Sequence, residues 1–500
     1  MKNNTDTNDS LLQSWLKKDI TEDAPLLNDE EKITKQAEKR VLSLFTQAAT
    51  RVPAYKKFLQ KHGVNPSLIK TIADYHKLPV TTKENYIDMY NFKDRCWDGT
   101  FESMHMISTS SGTTGKPHYW PRNFENEIEG AYVHELLFRE VFHIDTQKTL
   151  FINGFALGNW IAGTFTSACV NLVSLKGYPL TMMSPGYVTD SILEVLEEVA
   201  GEFEQVIISG HVPFLKEIAE LAAKKKVNTQ NIKLLGTGQG ITENWREYLL
   251  KTLDSSSDNT VINLYGSADA ALMGFETPLS VILRKQFYNN SALNKRFFGQ
   301  DRVPSLYNYD PRFTYFEVDN GELCITKNLG CPLFRYNIHD EGGIISYEEM
   351  VTMLDKSEAL PSYLKQLRTG GWKLPFVYLF GRDKFMVKIY GANIYSEHVQ
   401  HALNHNTLQP LITGRYLMEM NYNEENNPEL VCRVELNPEL QDSPELAQLI
   451  EQVFVDEITK INSEYQDVLS RMGHKVRPKI KLYEHGNQDY FSRNKIKKTS

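Results

Sequence analysis

The chain has 500 residues, 41% of them hydrophobic and 24% charged, with 55 lysines and arginines against 63 aspartates and glutamates, a formal net charge of −8. That is material for a large buried core and two or three domains, and it excludes a disordered or fibrous chain. Mild acidity also argues against a general nucleic-acid binder, which needs a basic surplus on one face.

The first ten residues, MKNNTDTNDS, lack the apolar stretch of a secretory signal. A cytoplasmic location is expected. Residues 30–50 read as a helix mixing polar and apolar positions, and 53–61 begin a second. The most apolar run, 149–175, is interrupted by Asn153, Asn159, Asn171 and glycines, which suits buried α/β segments better than a membrane span. From residue 206 the rhythm is regular: strand 206–208, helix 213–226, strand 232–235, a helix capped by Thr242 and running to 253, and strand 261–265. Residues 254–259 read as a surface loop. Each strand runs into a small or glycine-rich turn: Ser209-Gly210, Gly236-Thr237-Gly238 and Gly266-Ser267. This is the alternation of a mostly parallel sheet, whose ligands collect beyond the carboxyl ends of the strands.

After Gly381 the pattern changes. Short strands at 376–380, 385–389, 411–416, 430–436 and 478–483 separate helices near 397–404 and 444–471, and 421–428 reads as a hairpin connection. The expected fold class is α/β: a large N-terminal part, residues 1–381, with mixed and parallel sheets and flanking helices, then a smaller α+β domain, residues 382–500. Five cysteines (Cys96, Cys169, Cys324, Cys331, Cys432) without a C-x-x-C pair read as reduced, packed thiols rather than a zinc site or disulfides.

One segment carries chemistry: Ser108-Thr109-Ser110-Ser111-Gly112-Thr113-Thr114-Gly115-Lys116-Pro117. Glycines let backbone amides approach an anion, hydroxyls donate hydrogen bonds and the lysine adds charge, so polyphosphate is the natural ligand. It is not a Walker A loop, because only two residues separate Gly112 from Gly115 and proline follows Lys116.

Ser110 to Pro117 resembles the SSGTTGKP phosphate loop of the ANL adenylate-forming superfamily. Leu78-Pro79-Val80-Thr81-Thr82-Lys83, with Val52-Pro53-Ala54-Tyr55 before it, is similar to the opening of the phenylacetate–CoA ligase-like branch, to which coenzyme F390 synthetases and acyl-protein synthetases are related. The later motifs fit the same resemblance. Asn263-Leu264-Tyr265-Gly266-Ser267-Ala268-Asp269 is similar to the Tyr-Gly-x-Thr/Ser-Glu motif, with Ala268 where a hydroxyl belongs and Asp269 in place of glutamate. Gly236-Thr237-Gly238-Gln239-Gly240 resembles the turn against adenine, and Arg335 to Asp340 the R-Y-x-T-G-D motif. Residues 381–391 resemble the hinge motif, and Ser492-Arg493-Asn494-Lys495-Ile496 the closing S-G-K-I motif.

The resemblance implies ATP bound by Ser110, Ser111, Gly112, Thr113, Thr114, Gly115 and Lys116, with Gly238, Gln239, Tyr265, Gly266 and Ser267 around the adenine and α-phosphate. Asp340 and Arg382 would hold the ribose, and Asp269 would hold Mg2+. Lys495 would act in adenylation and Lys388 in thiol transfer. Lys384 would be the pivot of a mobile C-terminal cap, and Gly391 would leave room for a pantetheine arm. Phe155 and Trp160 are candidates for the acyl pocket, where aromatic lining suits an aryl or short acyl acid. The implied activity is acyl-AMP formation with release of pyrophosphate, then transfer to coenzyme A. Transfer to the phosphopantetheine of a carrier protein or to an amine is an alternative, and a disabled binding or regulatory protein of the same fold is another. The expected partners are a small carboxylic acid and coenzyme A or a carrier, with no nucleic acid and no membrane, and a homodimer is allowed. His339 reads as a surface-loop histidine.

Overall fold

In the computed structural model, residues 2–109, 118–225, 227–238, 240–355, 372–381, 386–389, 392–422 and 428–491 are described. Two strands flank the hydroxyl-rich segment, β1 (Met104–Thr109) and β2 (Tyr119–Asn123), and pair antiparallel. The centre is an eleven-stranded sheet. One half comprises β3 (Thr149–Asn153), β4 (Leu180–Met183), β5 (Gln205–His211), β6 (Ile232–Thr237) and β7 (Val261–Ser267), all parallel in the order β4-β3-β5-β6-β7. The other half continues from β7 through β8 (Ala271–Phe275), β9 (Ser305–Asn308), β13 (Phe376–Gly381), β12 (Leu333–Ile345), β11 (Glu322–Lys327) and β10 (Tyr315–Asp319), with every pairing antiparallel.

Alternation explains the layers. Leu150, Ile152, Val206, Ile208 and Leu234 face one side and pack with the helices Thr189–Glu198, Val212–Lys224 and Glu243–Thr252. Phe151, Ile207 and Leu235 face the other and meet helices Phe124–Phe142 and Ile161–Ser174. A parallel sheet covered on both faces must be apolar on both, as these continuous Val/Ile/Leu runs are. The antiparallel half packs one face on the N-terminal helices Glu30–Arg51 and Pro53–Lys61 through Phe45, Tyr55, Phe58, Leu323, Ile325 and Tyr336.

The expected strands 206–208, 232–235 and 261–265 and their helices are present, and Thr242 caps its helix by accepting from Trp245 N at 3.4 Å. The expected helix 444–471 is two helices, Pro444–Ile461 and Ser463–Met472. Asn462 interrupts it, extended and capping the second helix by accepting from Tyr465 N at 2.9 Å. Towards the C-terminus, β14 (Met386–Ile389) pairs with β15 (Ala392–Tyr395), and β16 (Ile412–Tyr422), β17 (Pro428–Leu436) and β18 (Lys479–Tyr483) form a three-stranded sheet. These elements share their own apolar cluster, including Ile389, Ile394, Leu430, Val434 and Phe454. They touch the large sheet near its β6 turn: Lys216 Nζ donates to Ile412 O (3.2 Å), Gln400 Nε2 to Gly240 O (2.9 Å) and Asn404 Nδ2 to Thr242 Oγ1 (2.9 Å). Among the described residues no helix is long and apolar enough to cross a membrane.

Candidate active site

β7 is the last parallel strand and the first with an antiparallel neighbour, so the carboxyl-end turns of one half open beside the side chains of the other. Tyr265, near the end of β7, is buried between Tyr307 and Phe316, with ring centroids 5.6 and 6.1 Å away in stacked orientation. Its hydroxyl donates to Asp340 Oδ2 at 2.6 Å. Asp269, in the turn after β7, accepts a hydrogen bond from Tyr336 OH at 2.7 Å on Oδ2. Tyr336 and Asp340 lie four residues apart on β12, and both reach groups at the end of β7.

β12 is not regular there. Arg335 (φ +43°) and His339 (φ +58°) adopt left-handed backbone, and the register slips on both flanks of the strand. Such conformations in non-glycine residues are strained and persist only where neighbours over-determine them. At Arg335 the neighbours do so: the guanidinium ion-pairs with Glu317 (Nε to Oε1, 3.0 Å) and donates to Leu78 O. Burial still pushes the Glu317 carboxyl up to about 7, against the pull of Arg335. His339 lies inside β12 rather than on a surface loop, half-buried, with Nδ1 3.4 Å from Glu322 Oε2. Asn337 Oδ1 accepts from its backbone N–H at 2.6 Å.

The segment Leu78 to Lys83 docks on this strand. Thr81 N donates to Arg335 O (3.1 Å), Asn337 N to Thr81 O (2.8 Å) and Thr81 Oγ1 to Phe334 O (2.9 Å). Thr82 then starts the short helix Lys83–Ile87 through a capping box with Asn85. The result brings Lys83 Nζ within 3.4 Å of Asp269 Oδ2. Both stems of the hydroxyl-rich segment are anchored by hydrogen bonds. Thr109 N donates to Asn159 O at 2.9 Å, and His118 Nε2 lies 2.7 Å from Asp88 Oδ1, just past the Lys83 helix.

On the parallel side, Gly238 follows β6 with φ +89°, and a Cβ there would sit 2.3 Å from the ring of His211 at the end of β5. Glycine is required on both counts. Ser267 Oγ accepts from Ala270 N at 3.2 Å and so braces the turn that carries Asp269.

No known protein-family profile matches the chain. It is 23% identical over 405 residues to a phenylacetate–coenzyme A ligase of Aromatoleum evansii, covering 78% of this chain and 79% of that enzyme. It is also 23% identical over 244 residues to the enzyme of that name from Thermus thermophilus, covering 48% of this chain and 51% of that one. That match thus spans about half the length of the Thermus protein. Among solved structures, it is similar to a 2-hydroxyisobutyryl-CoA ligase in the postadenylation state, with a TM-score of 0.65, 14% identity and coverage of 95% of this chain and 90% of that one. The fold is that of the ANL adenylate-forming enzymes. The resemblance to their phenylacetate–CoA ligase-like branch stands with it.

Within this ANL fold the expected site residues divide. Tyr265, Gly266, Ser267, Asp269 and Asp340 come together around the end of β7, with Gly238 just past the end of the neighbouring β6. Of the two acyl-pocket candidates, Phe155 is buried and Trp160 is exposed, bridged to Thr109 at the stem of the hydroxyl-rich segment. The backbone of Lys388 lies in β14, opposite Asn393. Ser110, Ser111, Gly112, Thr113, Thr114, Gly115, Lys116, Gln239, Arg382, Lys384, Gly391 and Lys495 lie outside the described residues. Sequence reasoning missed Lys83, Tyr336 and His211 as site residues. Lys83 had a signal, a lysine just inside a Thr-x-x-Asn cap, whereas Tyr336 and His211 owe their places to contacts 67 and 27 residues away in sequence.

Among the described residues no group of three or more His, Cys, Asp or Glu could hold a metal ion by itself. Asp269 offers one buried carboxylate, and its Oδ2 already meets Tyr336 and Lys83. Magnesium bound chiefly through substrate phosphates needs only one or two protein carboxylates, so the donor set fits a shared ion and not an all-protein cage.

Proposed function

We propose that this chain activates a carboxylic acid with ATP, forming an acyl-AMP and pyrophosphate, and then transfers the acyl group to the thiol of coenzyme A. The observation that carries this reading is the meeting, at the end of β7, of Tyr265 bonded to Asp340 and Asp269 held by Tyr336 and Lys83, with His118, which follows the 110–117 segment, tied to Asp88 just past the Lys83 helix. ATP and coenzyme A are substrates here. The names of the similar proteins, phenylacetate– and 2-hydroxyisobutyryl–CoA ligases, support the reaction class.

A carboxylate is a poor electrophile until its oxygen becomes part of a good leaving group. Its oxygen attacks the α-phosphorus of ATP in line, the bond to pyrophosphate breaks, and charge builds on the phosphate oxygens. The chain's contribution is positioning and electrostatic stabilisation. Ser110–Lys116 cradle the β- and γ-phosphates. Asp340 accepts the ribose hydroxyls, since a carboxylate suits a diol by accepting two hydrogen bonds, and Arg382 is assigned to the same ribose. Tyr265 and the Gly238–Gln239 turn bound the adenine, and Gly266 and Ser267 line the approach to the α-phosphate. A magnesium ion held by Asp269 and phosphate oxygens would neutralise the departing pyrophosphate. Lys495 meets the reacting oxygens. Residues 382–500 then turn about Lys384 as a cap, bringing Lys388 and Gly391 to the thiol path, and the thiolate attacks the carbonyl carbon as AMP leaves. Phe155 and Trp160 are assigned to the acyl pocket, with an aryl or short acyl acid as the substrate class; the bridge of Trp160 to Thr109, at the stem of the phosphate loop, supports this.

ATP–pyrophosphate exchange across a panel of aryl and short acyl acids tests this. At least one acid should support exchange, and adding coenzyme A should yield its thioester and AMP. No exchange with any acid would defeat the reading. Thioester only with a loaded carrier protein would move the acceptor. Lys495→Ala should abolish exchange, and normal adenylation would remove that lysine from its role.

A further inference from the structure

Cys96 and Cys331 are 235 residues apart in sequence, yet their sulfurs lie 3.5 Å apart, both fully buried. Cys96 precedes Trp97, whose backbone N–H donates to Gly330 O (3.4 Å) and whose Nε1 donates to Leu329 O (3.0 Å), so two backbone segments hold the pair in register. A disulfide needs its sulfurs at about 2 Å, an approach that small side-chain rotations supply when backbones already lie side by side.

The neighbouring Arg95 is the second observation. It is buried, and its Nε and Nη1 have no hydrogen-bond partner among the described residues. The guanidinium faces the rings of Phe92 (5.6 Å) and Trp120 (5.9 Å). Buried guanidinium nitrogens without an acceptor are costly, and an anion beside them lowers that cost. We propose that Cys96 and Cys331 form an oxidant-responsive dithiol, with Cys96, next to Arg95 in the chain, as the attacking thiolate, Cys331 as the resolving thiol, and a peroxide as the oxidant class.

The two thiols are unequal in the required sense. The contact with Cys331 lowers the Cys96 thiol below its usual range, with the charge of Arg95 adding to the effect, whereas burial pushes Cys331 well up. The Cys96 thiolate attacks one peroxide oxygen: the S–O bond forms, the O–O bond breaks and hydroxide leaves. Cys331 gives its proton to that hydroxide and attacks the sulfenic sulfur. The S–S bond forms, the S–O bond breaks, and the oxygen departs as hydroxide, which takes up a proton to become water. Overall two thiols lose two electrons and two protons, and one hydrogen peroxide becomes two waters.

The position gives the crosslink a consequence. The turn carrying Gly330 and Cys331 lies against β2, so closely that a Cβ on Gly330 would meet Pro121 O at 2.3 Å. The bond would tie the Cys96 segment to the base of the hairpin that carries the 110–117 segment. It closes a very long loop, for which unfolded-state entropy predicts a higher melting temperature.

The test treats the full chain with hydrogen peroxide, blocks the remaining thiols and maps peptides without reductant. The expected result is loss of the mass of two hydrogens, a Cys96–Cys331 peptide, a melting temperature raised by a few degrees, and reversal by dithiothreitol. Cys331→Ser should stop at a sulfenic acid on Cys96, trapped by dimedone, and Cys331→Ala serves if the serine destabilises the fold. Arg95→Gln should slow oxidation about tenfold, with Arg95→Lys restoring part of the rate. Cys432→Ser should change nothing. All five thiols remaining alkylatable after peroxide, or a link between other cysteines, would overturn the proposal. Arg95→Gln oxidising at the native rate would overturn the assigned role of Arg95.

Discussion

The two halves of the large sheet do different work. The parallel half offers backbone: its strands end in turns such as Gly236-Thr237-Gly238, and what they present is amides and space. The antiparallel half offers side chains, because β12 sends Tyr336 to Asp269 and receives Tyr265 on Asp340. Neither half holds the arrangement alone; it exists where they join at β7. The seam is clamped from below. Arg246 ion-pairs with Glu243 (3.1 Å) and Glu276 (2.7 Å) and donates to Val261 O, while Glu276 Oε2 accepts from Asn263 N at 2.8 Å. Strands of both halves are thereby fixed to one buried guanidinium.

The most direct way to break the comparison is to break that seam. Arg246→Leu leaves Glu276 buried without its ion-pair partner, while Glu243 keeps Arg284, and should cost about 3–5 kcal/mol in urea unfolding. A loss confined to one half, seen as biphasic melting, would show that the halves do not fold as a unit. Next is Asp340→Ala, which removes the side chain contributed by the antiparallel half. It should lower kcat/KM for ATP in pyrophosphate exchange about 100-fold, the worth of roughly two charge-assisted hydrogen bonds, with little change for the acid. An equal loss for both substrates would mean that Asp340 supports the fold and not the nucleotide.

The halves should also respond oppositely to pH. His134, in the helix that packs on the parallel half, is buried beside Phe138 and Phe165, and burial lowers it to about 4. Its folded value lies below the unfolded one, so the unfolded state binds more protons between about 4 and 6.5, and stability falls as pH drops through that window. Glu317, in the antiparallel half, is raised to about 7, so the folded state binds more protons between about 4.5 and 7, and stability falls as pH rises there. Thermal melts between pH 5 and 7 should show His134→Gln losing about 2 kcal/mol less on acidification than the native chain. Glu317→Gln should lose about 2 kcal/mol less on neutralisation. Parallel curves for native and variant would remove the residue concerned from the balance. The smallest effect is expected at Gly238→Ala, about 1–2 kcal/mol from left-handed backbone. Adding His211→Gly should recover only the part due to the ring 2.3 Å away.

Much of the parallel half was legible because its signals are local. A buried strand of Val, Ile and Leu, a small turn and a capped amphipathic helix repeat within thirty residues, and strands 206–208, 232–235 and 261–265 appeared where expected. Strands β8 to β12 were not anticipated. Their alternation is interrupted by buried polar residues such as Asn308, Glu317 and Arg335, whose burial is compensated only by partners far along the chain. The single expected helix 444–471 failed for a related reason, since Asn462 can continue a helix or cap the next and tertiary packing chose the cap.

By itself, the sequence of this mildly acidic chain determined what depends on composition and short spacing. These are the α/β class, the turns at the strand ends and the hydroxyl-rich segment with its lysine. Only the tertiary structure decided which acid meets which tyrosine, that Lys83 reaches Asp269, and that Cys96 and Cys331 lie side by side. Those pairings span tens to hundreds of residues, and no periodicity encodes them. The first two run through β12, which is bulged and lies between the N-terminal segment and the end of β7.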